Sequence, residues 1–176
     1  MIINGTKLLL AGPIKNMLGT KETNGTVSHG LTEAGYDIRI KQQVHFCKRG
    51  GSNQRFVLVT DVDHIAGRLG PTELKTTGKF SLASAMEEFQ MPANLVGIVH
   101  DKSTWARQGL SVFNTVIEPG WNGFLTLELV YHGEGELLIP AGSGIAQVIF
   151  HELSEKRSYA GKYQNQSDKP VEAISQ

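Results

Sequence analysis

Cysteine, net charge and long apolar runs are what this sequence has least of. Its 176 residues include one cysteine, Cys47, and 17 basic residues are balanced by 17 acidic ones. A single cysteine excludes an internal disulfide framework and a zinc site built from several cysteines. A net charge of zero argues against a nucleic-acid polymer as partner, whereas a small anionic ligand needs only a local cluster of cations.

Segments that would direct the chain into a membrane or out of the cell are also missing. The N-terminal run "LLLAG" is too short for a signal peptide, and no stretch approaches the length of a membrane span. We therefore expect a cytoplasmic protein with no membrane partner. The H-x-E…P-C-x-x-C pattern of zinc deaminases and the common phosphate-binding glycine motifs are absent, and the six histidines show no metal-ligand spacing.

The second half of the chain contains short apolar segments that alternate with turn residues. "NLVGIVH", "LSVFNTVI", "FLTLELVY", "GELLIPA" and "IAQVIFHEL" are separated by turns such as "EPGWNG", "HGEGE" and "PAGSG". This pattern predicts a mainly β fold, either a sandwich, a barrel or a jelly roll. In the first half, "GTKLLLAGPIKNML" could hold a short helix, and "SLASAMEEFQM" fits a helix or a strand.

The segment "HDKSTWARQG" concentrates cations and hydroxyl groups. Lys102 and Arg107 flank Ser103 and Thr104, and donors of these kinds match the charge of a triphosphate in a partly desolvated site. A polar surface turn between two strands would have the same composition. The segment alone leaves both interpretations open.

Glu128 stands out as a lone carboxylate in the apolar run "FLTLELVY". Strict alternation puts it on one face with Phe124, Thr126 and Val130. A carboxylate that is buried there without a partner has a raised pKa, which suits a general base or a proton shuttle. The alternative is a solvent-facing glutamate on an edge strand, or a structural ion pair.

Two turn segments give weaker signals. "EPGWNG" carries Glu118 and Trp121, and the tryptophan would either pack in the core or form a flat wall against a sugar or base. "AGYDIRI" places Asp37 at the start of a strand, where aspartate is common as a turn former.

The C-terminal segment "YAGKYQNQ" clusters Tyr159, Lys162, Tyr163 and Gln166. A polar and aromatic tail is either disordered or a flap that closes over a ligand. We therefore divide the chain into a β domain, residues 1–158, and a C-terminal segment, residues 159–176.

Taken together, "KSTWAR", "EPGWNG" followed by "TLE", and "GKYQNQ" resemble the dCTP deaminase family, a branch of the dUTPase-like superfamily. The resemblance implies a distorted β-barrel or jelly-roll-like protomer assembled as a homotrimer. It implies active sites between neighbouring subunits and a C-terminal segment that folds over the nucleotide. It also favours a strand for "SLASAMEEFQM".

The resemblance assigns roles to particular residues. Glu128 matches the catalytic glutamate, and Ser103 and Arg107 match residues that orient the catalytic centre. The positions that resemble substrate-binding residues of the family are Lys102, Ser103, Thr104, Arg107, Glu118, Trp121, Gln147, Tyr159, Lys162 and Gln166.

The implied reaction is a metal-free hydrolytic deamination of dCTP to dUTP and ammonia, which feeds thymidylate synthesis. Mg²⁺ arrives with the triphosphate, zinc is not required, and dTTP is a candidate inhibitor. Three alternatives stay open: a bifunctional enzyme that continues to dUMP, a monofunctional dUTPase, and a non-catalytic nucleotide-binding regulator. The glutamate at position 118, the acid at position 128 and the absence of a glycine-rich C-terminal motif favour the deaminase over the dUTPase.

Overall fold

The structure, a computed structural model, describes residues 1–23, 27–48, 54–63 and 68–175. Within these ranges the chain is mainly β, as the spacing of its turns predicts. The elements are β1 (Ile2–Ile3), α1 (Gly5–Ala11), β2 (Lys21–Glu22), β3 (His29–Leu31), β4 (Tyr36–Arg39), β5 (Gln43–Lys48), β6 (Arg55–Asp63), β7 (Arg68–Thr77), β8 (Phe80–Gln90), β9 (Leu95–Asp101), α2 (Ser103–Ala106), β10 (Leu110–Val112), β11 (Val116–Ile117), β12 (Asn122–Tyr131), β13 (Leu137–Ile139) and β14 (Gly144–Glu152).

The strands form three antiparallel sheets. The largest has the order β11-β9-β14-β4-β3-β2, with β1 also paired to β14. A three-stranded sheet has the order β10-β12-β8, and a four-stranded sheet has the order β13-β5-β6-β7. No closed barrel is found among the described residues, so the barrel form of the prediction is not the arrangement observed.

Most of the predicted elements are confirmed. The helix predicted near the N-terminus is α1, and Gly12 ends it with the left-handed conformation (φ 58°) that glycine adopts without strain. "SLASAMEEFQM" forms the long strand β8, although its composition also suits a helix. "LSVFNTVI" is not one strand but two, β10 and β11, with residues 113–115 between them.

The core lies between the sheets and positions β12 and α2. Leu127 and Leu129 of β12 are buried on one face of the strand, together with Phe89 of β8. Trp105 of α2 is buried, and its Nε1 donates a hydrogen bond to the carbonyl of Gly144 at 2.7 Å. None of the helices in the described ranges has the length and hydropathy needed to cross a membrane.

Candidate functional site

A cavity of about 400 Å³ opens between β8, β11, β12 and the C-terminal segment. Five of the predicted site residues line it: Glu118, Trp121, Glu128, Tyr159 and Gln166. The other lining residues are Phe80, Leu82, Thr115, Val116, Ile117, Leu125, Thr126, Tyr163, Val171, Glu172 and Ala173. The cavity therefore joins residues that are far apart in the sequence but belong to three of its motifs.

Glu128 projects into this cavity from the middle strand of the three-stranded sheet. It pairs in register with Leu82 of β8, and β10 pairs with the other edge of the strand, so Glu128 is not on an edge strand. Burial raises the pKa of its carboxyl. No cation among the described residues forms an ion pair with it, and a hydrogen bond from its own backbone lowers the pKa by less than burial raises it. A carboxyl with a raised pKa suits a group that takes and returns protons during a reaction.

Trp121 and Glu118 come from the turn before β12 and occupy one wall of the cavity. Trp121 is 5% exposed, packs its ring 6.0 Å from that of Phe89, and donates from Nε1 to the carbonyl of Tyr163 at 2.6 Å. The tryptophan therefore packs in the core and also lines the cavity, and its contact with a sugar or base stays a prediction. Glu118 is exposed, and its carbonyl accepts the backbone N–H of Trp121 at 3.2 Å.

The C-terminal segment packs across the cavity through backbone contacts. Gln166 forms a parallel bridge with Gly123, and its carbonyl accepts the N–H of Phe124 at 3.1 Å. The hydroxyl of Thr126 contacts Gln166 Oε1 at 3.2 Å and accepts the N–H of Val171 at 3.1 Å. The segment is thus attached to the strand that carries Glu128.

Glycine is required where this segment crosses β12. Gly123 has φ +126°, and a Cβ there would lie 2.5 Å from the nitrogen and 2.6 Å from the oxygen of Gln166. Neither neighbour is the end of a flexible side chain, since both are backbone atoms. The close approach therefore fixes the path of the segment over the cavity.

Lys162 lies outside the lining of the cavity. Its Nζ donates to the carbonyl of Ile174 at 2.6 Å and lies 5.3 Å from the ring centroid of Tyr163. The last residues of the C-terminal segment thus fold back on its first part, and Glu172 lies in the wall of the cavity.

The charged side chains that line the cavity, among the described residues, are all acidic. Its lining includes three carboxylates, from Glu118, Glu128 and Glu172, and no lysine, arginine or histidine among the residues that the structure describes. Such a site repels a triphosphate and suits an uncharged base and sugar, or a ring that gains positive charge during reaction.

The cationic motif lies elsewhere on the chain. Ser103, Thr104 and Arg107 are exposed on and after α2, and none of them lines the cavity. Lys102 forms a close ion pair with Asp37 of β4. Gln147 also stays outside the cavity and donates from Nε2 to Thr32 Oγ1 at 3.1 Å. Within one chain, the residues predicted to bind one nucleotide therefore fall into two groups.

An exposed apolar patch adjoins the cavity. Phe80, Phe113 and Val116 are 46%, 51% and 51% exposed, and the two phenylalanine rings lie 6.4 Å apart. Phe80 and Val116 also line the cavity. Apolar side chains grouped in this way commonly mark a surface that contacts another molecule.

Several lining residues were not predicted from the sequence. Thr126 shares a face with Glu128, so alternation along the strand could have identified it. Tyr163 belongs to the polar and aromatic cluster of "YAGKYQNQ", but the resemblance gives it no role. Nothing in the sequence signals that residues 171–173 reach the cavity. No cluster of three metal-ligating side chains is found in the part of the chain that the structure describes.

Comparisons with the sequences of known proteins agree on one family. The sequence profile of the dCTP deaminase-like family matches residues 14–153. The dCTP deaminase of Acidithiobacillus ferrooxidans is 37% identical over 155 residues, covering 83% of this chain and 80% of the relative. That of Anaplasma phagocytophilum is 32% identical over 178 residues, with 96% and 94% covered.

Solved structures share the fold at lower sequence identity. A 2′-deoxycytidine 5′-triphosphate deaminase from Agrobacterium tumefaciens matches with a TM-score of 0.55 and 16% identity, covering 87% of this chain and 48% of that one. The dUTPase of Staphylococcus bacteriophage 80alpha matches with a TM-score of 0.50 and 15% identity, covering 84% and 91%. The chain therefore has a dUTPase-like fold.

Proposed function

The chain belongs to the dCTP deaminase-like family, and from this premise we propose that it hydrolyses dCTP to dUTP and ammonia, as its curated relatives are named to do. The observation that carries the proposal is the position of Glu128, a desolvated carboxyl without an ion-pair partner among the described residues, in a cavity walled by Trp121. This is an enzyme of the hydrolase class that acts on a carbon–nitrogen bond of the base.

In the proposed reaction, Glu128 takes a proton from water, and the oxygen of that water attacks C4 of cytosine. The glutamate passes the proton to N3 of the ring, and a second transfer takes the remaining water proton to the exocyclic nitrogen. The C4–N bond then breaks and ammonia leaves. The raised pKa of Glu128 makes its carboxyl a better proton acceptor and allows it to return the proton near neutral pH.

We assign the nucleoside part of dCTP to the cavity. Glu118 would accept a hydrogen bond from the sugar hydroxyl, and the Trp121 ring would pack against the deoxyribose. Gln166 and Tyr159 would close the C-terminal segment, residues 159–175, over the base. The three carboxylates support this orientation, because they disfavour the triphosphate within the cavity and stabilise positive charge that develops on the ring.

The triphosphate then needs cations that the cavity of one chain does not supply. We propose a homotrimer in which Lys102, Ser103, Thr104 and Arg107 of one subunit, with Gln147, complete the site of the next. Two observations support it: the exposed apolar patch beside the cavity and the exposure of Arg107 directly after α2. Lys162 would add a phosphate contact after it leaves the carbonyl of Ile174.

This division of the site can be tested by mixing two inactive variants. Glu128→Gln and Arg107→Ala should each lack activity alone, because each removes a different half of the site. Mixed and reassembled, they should regain deaminase activity in the sites that combine an intact Glu128 with a neighbour's intact Arg107. Mixtures that stay inactive although mass spectrometry shows mixed oligomers would contradict a site shared between subunits.

Mg²⁺ would accompany the triphosphate, as the charge of the substrate requires, and zinc would have no role. We expect the enzyme to act in the cytoplasm, where deoxynucleotides are available, and to be inhibited by dTTP, which offers the same triphosphate and deoxyribose. Magnesium titration and dTTP inhibition curves at a fixed dCTP concentration would test the two ligands.

The direct test of the activity is product analysis. The purified protein is incubated with dCTP and Mg²⁺, and the nucleotides are separated by ion-exchange chromatography while ammonia is measured in parallel. We expect dUTP and ammonia in equal amounts. Accumulation of dUMP, or turnover of dUTP alone, would contradict a deaminase that stops at dUTP.

A further inference from the structure

Asp37 of β4 is a buried carboxylate at the centre of a polar cluster outside the cavity. It is 1% exposed, and its Oδ2 pairs with Nζ of Lys102, whose side chain is 11% exposed. Gln147 stands directly opposite Asp37 in the pairing of β14 with β4, so both side chains leave the same face of the sheet. Asp37 thus contacts Lys102 and lies beside Gln147, two residues that are predicted to bind the substrate.

The pair helps to attach α2 to the large sheet. Trp105 Nε1 donates to the carbonyl of Gly144 at 2.7 Å, and Lys102, the residue before the helix, is held by Asp37. Trp105 is buried, whereas Ser103, Thr104 and Arg107 are exposed. The two attachments therefore fix the short helix with its polar residues directed away from the sheet.

Both members of the ion pair keep hydrogen-bonding groups that the pair itself does not use. Oδ1 of Asp37 is buried and has no hydrogen-bond partner among the described residues. A lysine ammonium has three N–H donors, and the side chain of Lys102 donates to no described group besides Asp37. Lys102 can therefore stay bound to Asp37 while its remaining donors contact a phosphate oxygen.

We propose that Asp37 is a positioning residue for triphosphate binding: it holds the ammonium of Lys102 at the phosphate end of the site and fixes α2 beside it. The inference rests on the proposed function, since it gives Lys102 the triphosphate as its ligand. Asp37 itself contacts neither the base nor the water, so its loss should weaken substrate binding without changing the chemical step.

The experiment compares Asp37→Asn, Lys102→Met and the double variant with the wild-type protein. Each single variant should raise KM for dCTP about tenfold, the usual scale of a lost charge-assisted contact, with kcat within about twofold of wild type. The double variant should be no worse than Lys102→Met, because both changes remove the same contact. Glu155→Gln, which breaks an exposed ion pair with Arg157, serves as the matched control and should keep the wild-type KM.

A second readout separates triphosphate binding from deamination. Inorganic tripolyphosphate should raise the unfolding temperature of the wild-type protein and of Glu155→Gln, but much less that of Asp37→Asn or Lys102→Met. If Asp37→Asn does not fold, Asp37→Glu carries the test, since it keeps the charge, displaces the ammonium by one methylene, and should raise KM at unchanged kcat.

The outcomes are distinct. An unchanged KM and full tripolyphosphate protection in folded Asp37→Asn would overturn the inference, as would losses that multiply in the double variant. A wild-type protein that releases no ammonia from dCTP would overturn the proposed function, whereas tripolyphosphate protection that still depends on Asp37 would support the positioning role.

Discussion

Replacing Glu128 by glutamine isolates the proton-transfer step from binding. Glutamine has the same shape as glutamate, so the cavity keeps its walls and the strand its register with Leu82. The amide cannot accept the proton of the attacking water. We therefore expect deamination to fall and dCTP binding to remain.

The size of the loss follows from the role assigned to the carboxyl. A positioned general acid-base group contributes about 10²- to 10⁴-fold to a rate, or about 3–5 kcal/mol of transition-state stabilisation. We expect kcat of Glu128→Gln to fall within or beyond that range, because the same carboxyl serves more than one transfer. The dissociation constant of dCTP should change less than about threefold, a small step on the scale of about 1.4 kcal/mol for a tenfold change.

The raised pKa of Glu128 also predicts how the stability of the folded protein changes with pH. Because burial raises the pKa of Glu128, the folded protein holds this proton at pH values where the unfolded chain has lost it. The contribution to stability is therefore complete below the ordinary glutamate pKa and is lost as pH rises through the raised value. Glutamine does not titrate, so Glu128→Gln should be at least as stable as wild type at neutral pH.

The assays are ammonia release for kcat, calorimetry for dCTP binding, and thermal unfolding over a pH series. In the wild-type protein, kcat should rise with pH on an acid limb whose apparent pKa lies above the ordinary value of glutamate, about 4.3. Binding that is lost in proportion to activity, or a variant less stable than wild type at neutral pH, would refute the reasoning and point to a structural role for Glu128.

Three further predictions concern the C-terminal segment and the metal requirement. Truncation before Tyr159 should leave a folded protein, because the core lies between the sheets, but should lower activity at least about 100-fold, the low end of what a positioned catalytic group contributes; circular dichroism and ammonia release check this, and unchanged turnover would contradict it. Gly123→Ala should displace the backbone of Gln166, 2.5 Å from the added Cβ, and raise KM while the fold is kept; limited proteolysis should then cleave the C-terminal segment faster than in wild type. Exhaustive EDTA treatment followed by Mg²⁺ alone should restore full activity, and a requirement for added zinc would contradict the proposed mechanism.

Local patterns predicted much of the fold and several of the residues that line the cavity. Alternation in "FLTLELVY" placed Glu128 and Thr126 on one face, and the structure has both in the lining of the cavity. Phe124, predicted on the same face, does not line it, because the pairing of β12 with β8 is irregular between Phe124 and Thr126. Turn residues located β9, β12, β13 and β14. These features depend on neighbours in the sequence, and the pleat of a strand fixes them without knowledge of the partner strand.

Features that depend on the pairing of distant strands were not predictable. The contact of Asp37 with Lys102 requires α2 to lie beside the sheet that contains β4, and no periodicity in either segment reports this. The separation of Arg107 from the cavity that contains Glu128 also depends on how distant strands pair, so local patterns did not predict it. The path of residues 171–173 along the cavity depends on single hydrogen bonds, such as that from Val171 to Thr126, which leave no pattern in the sequence.

The most direct test of the central claim follows the oxygen of the attacking water. The protein is incubated with dCTP and Mg²⁺ in H₂¹⁸O, and the nucleotides and phosphates are analysed by mass spectrometry, with Glu128→Gln in parallel. The account predicts one ¹⁸O atom in the uracil base of dUTP from the wild-type protein and at least about 100-fold less labelled product from the variant in the same time. Label in the phosphate of dUMP or in pyrophosphate, or equal labelling of the base by the variant, would contradict deamination by Glu128.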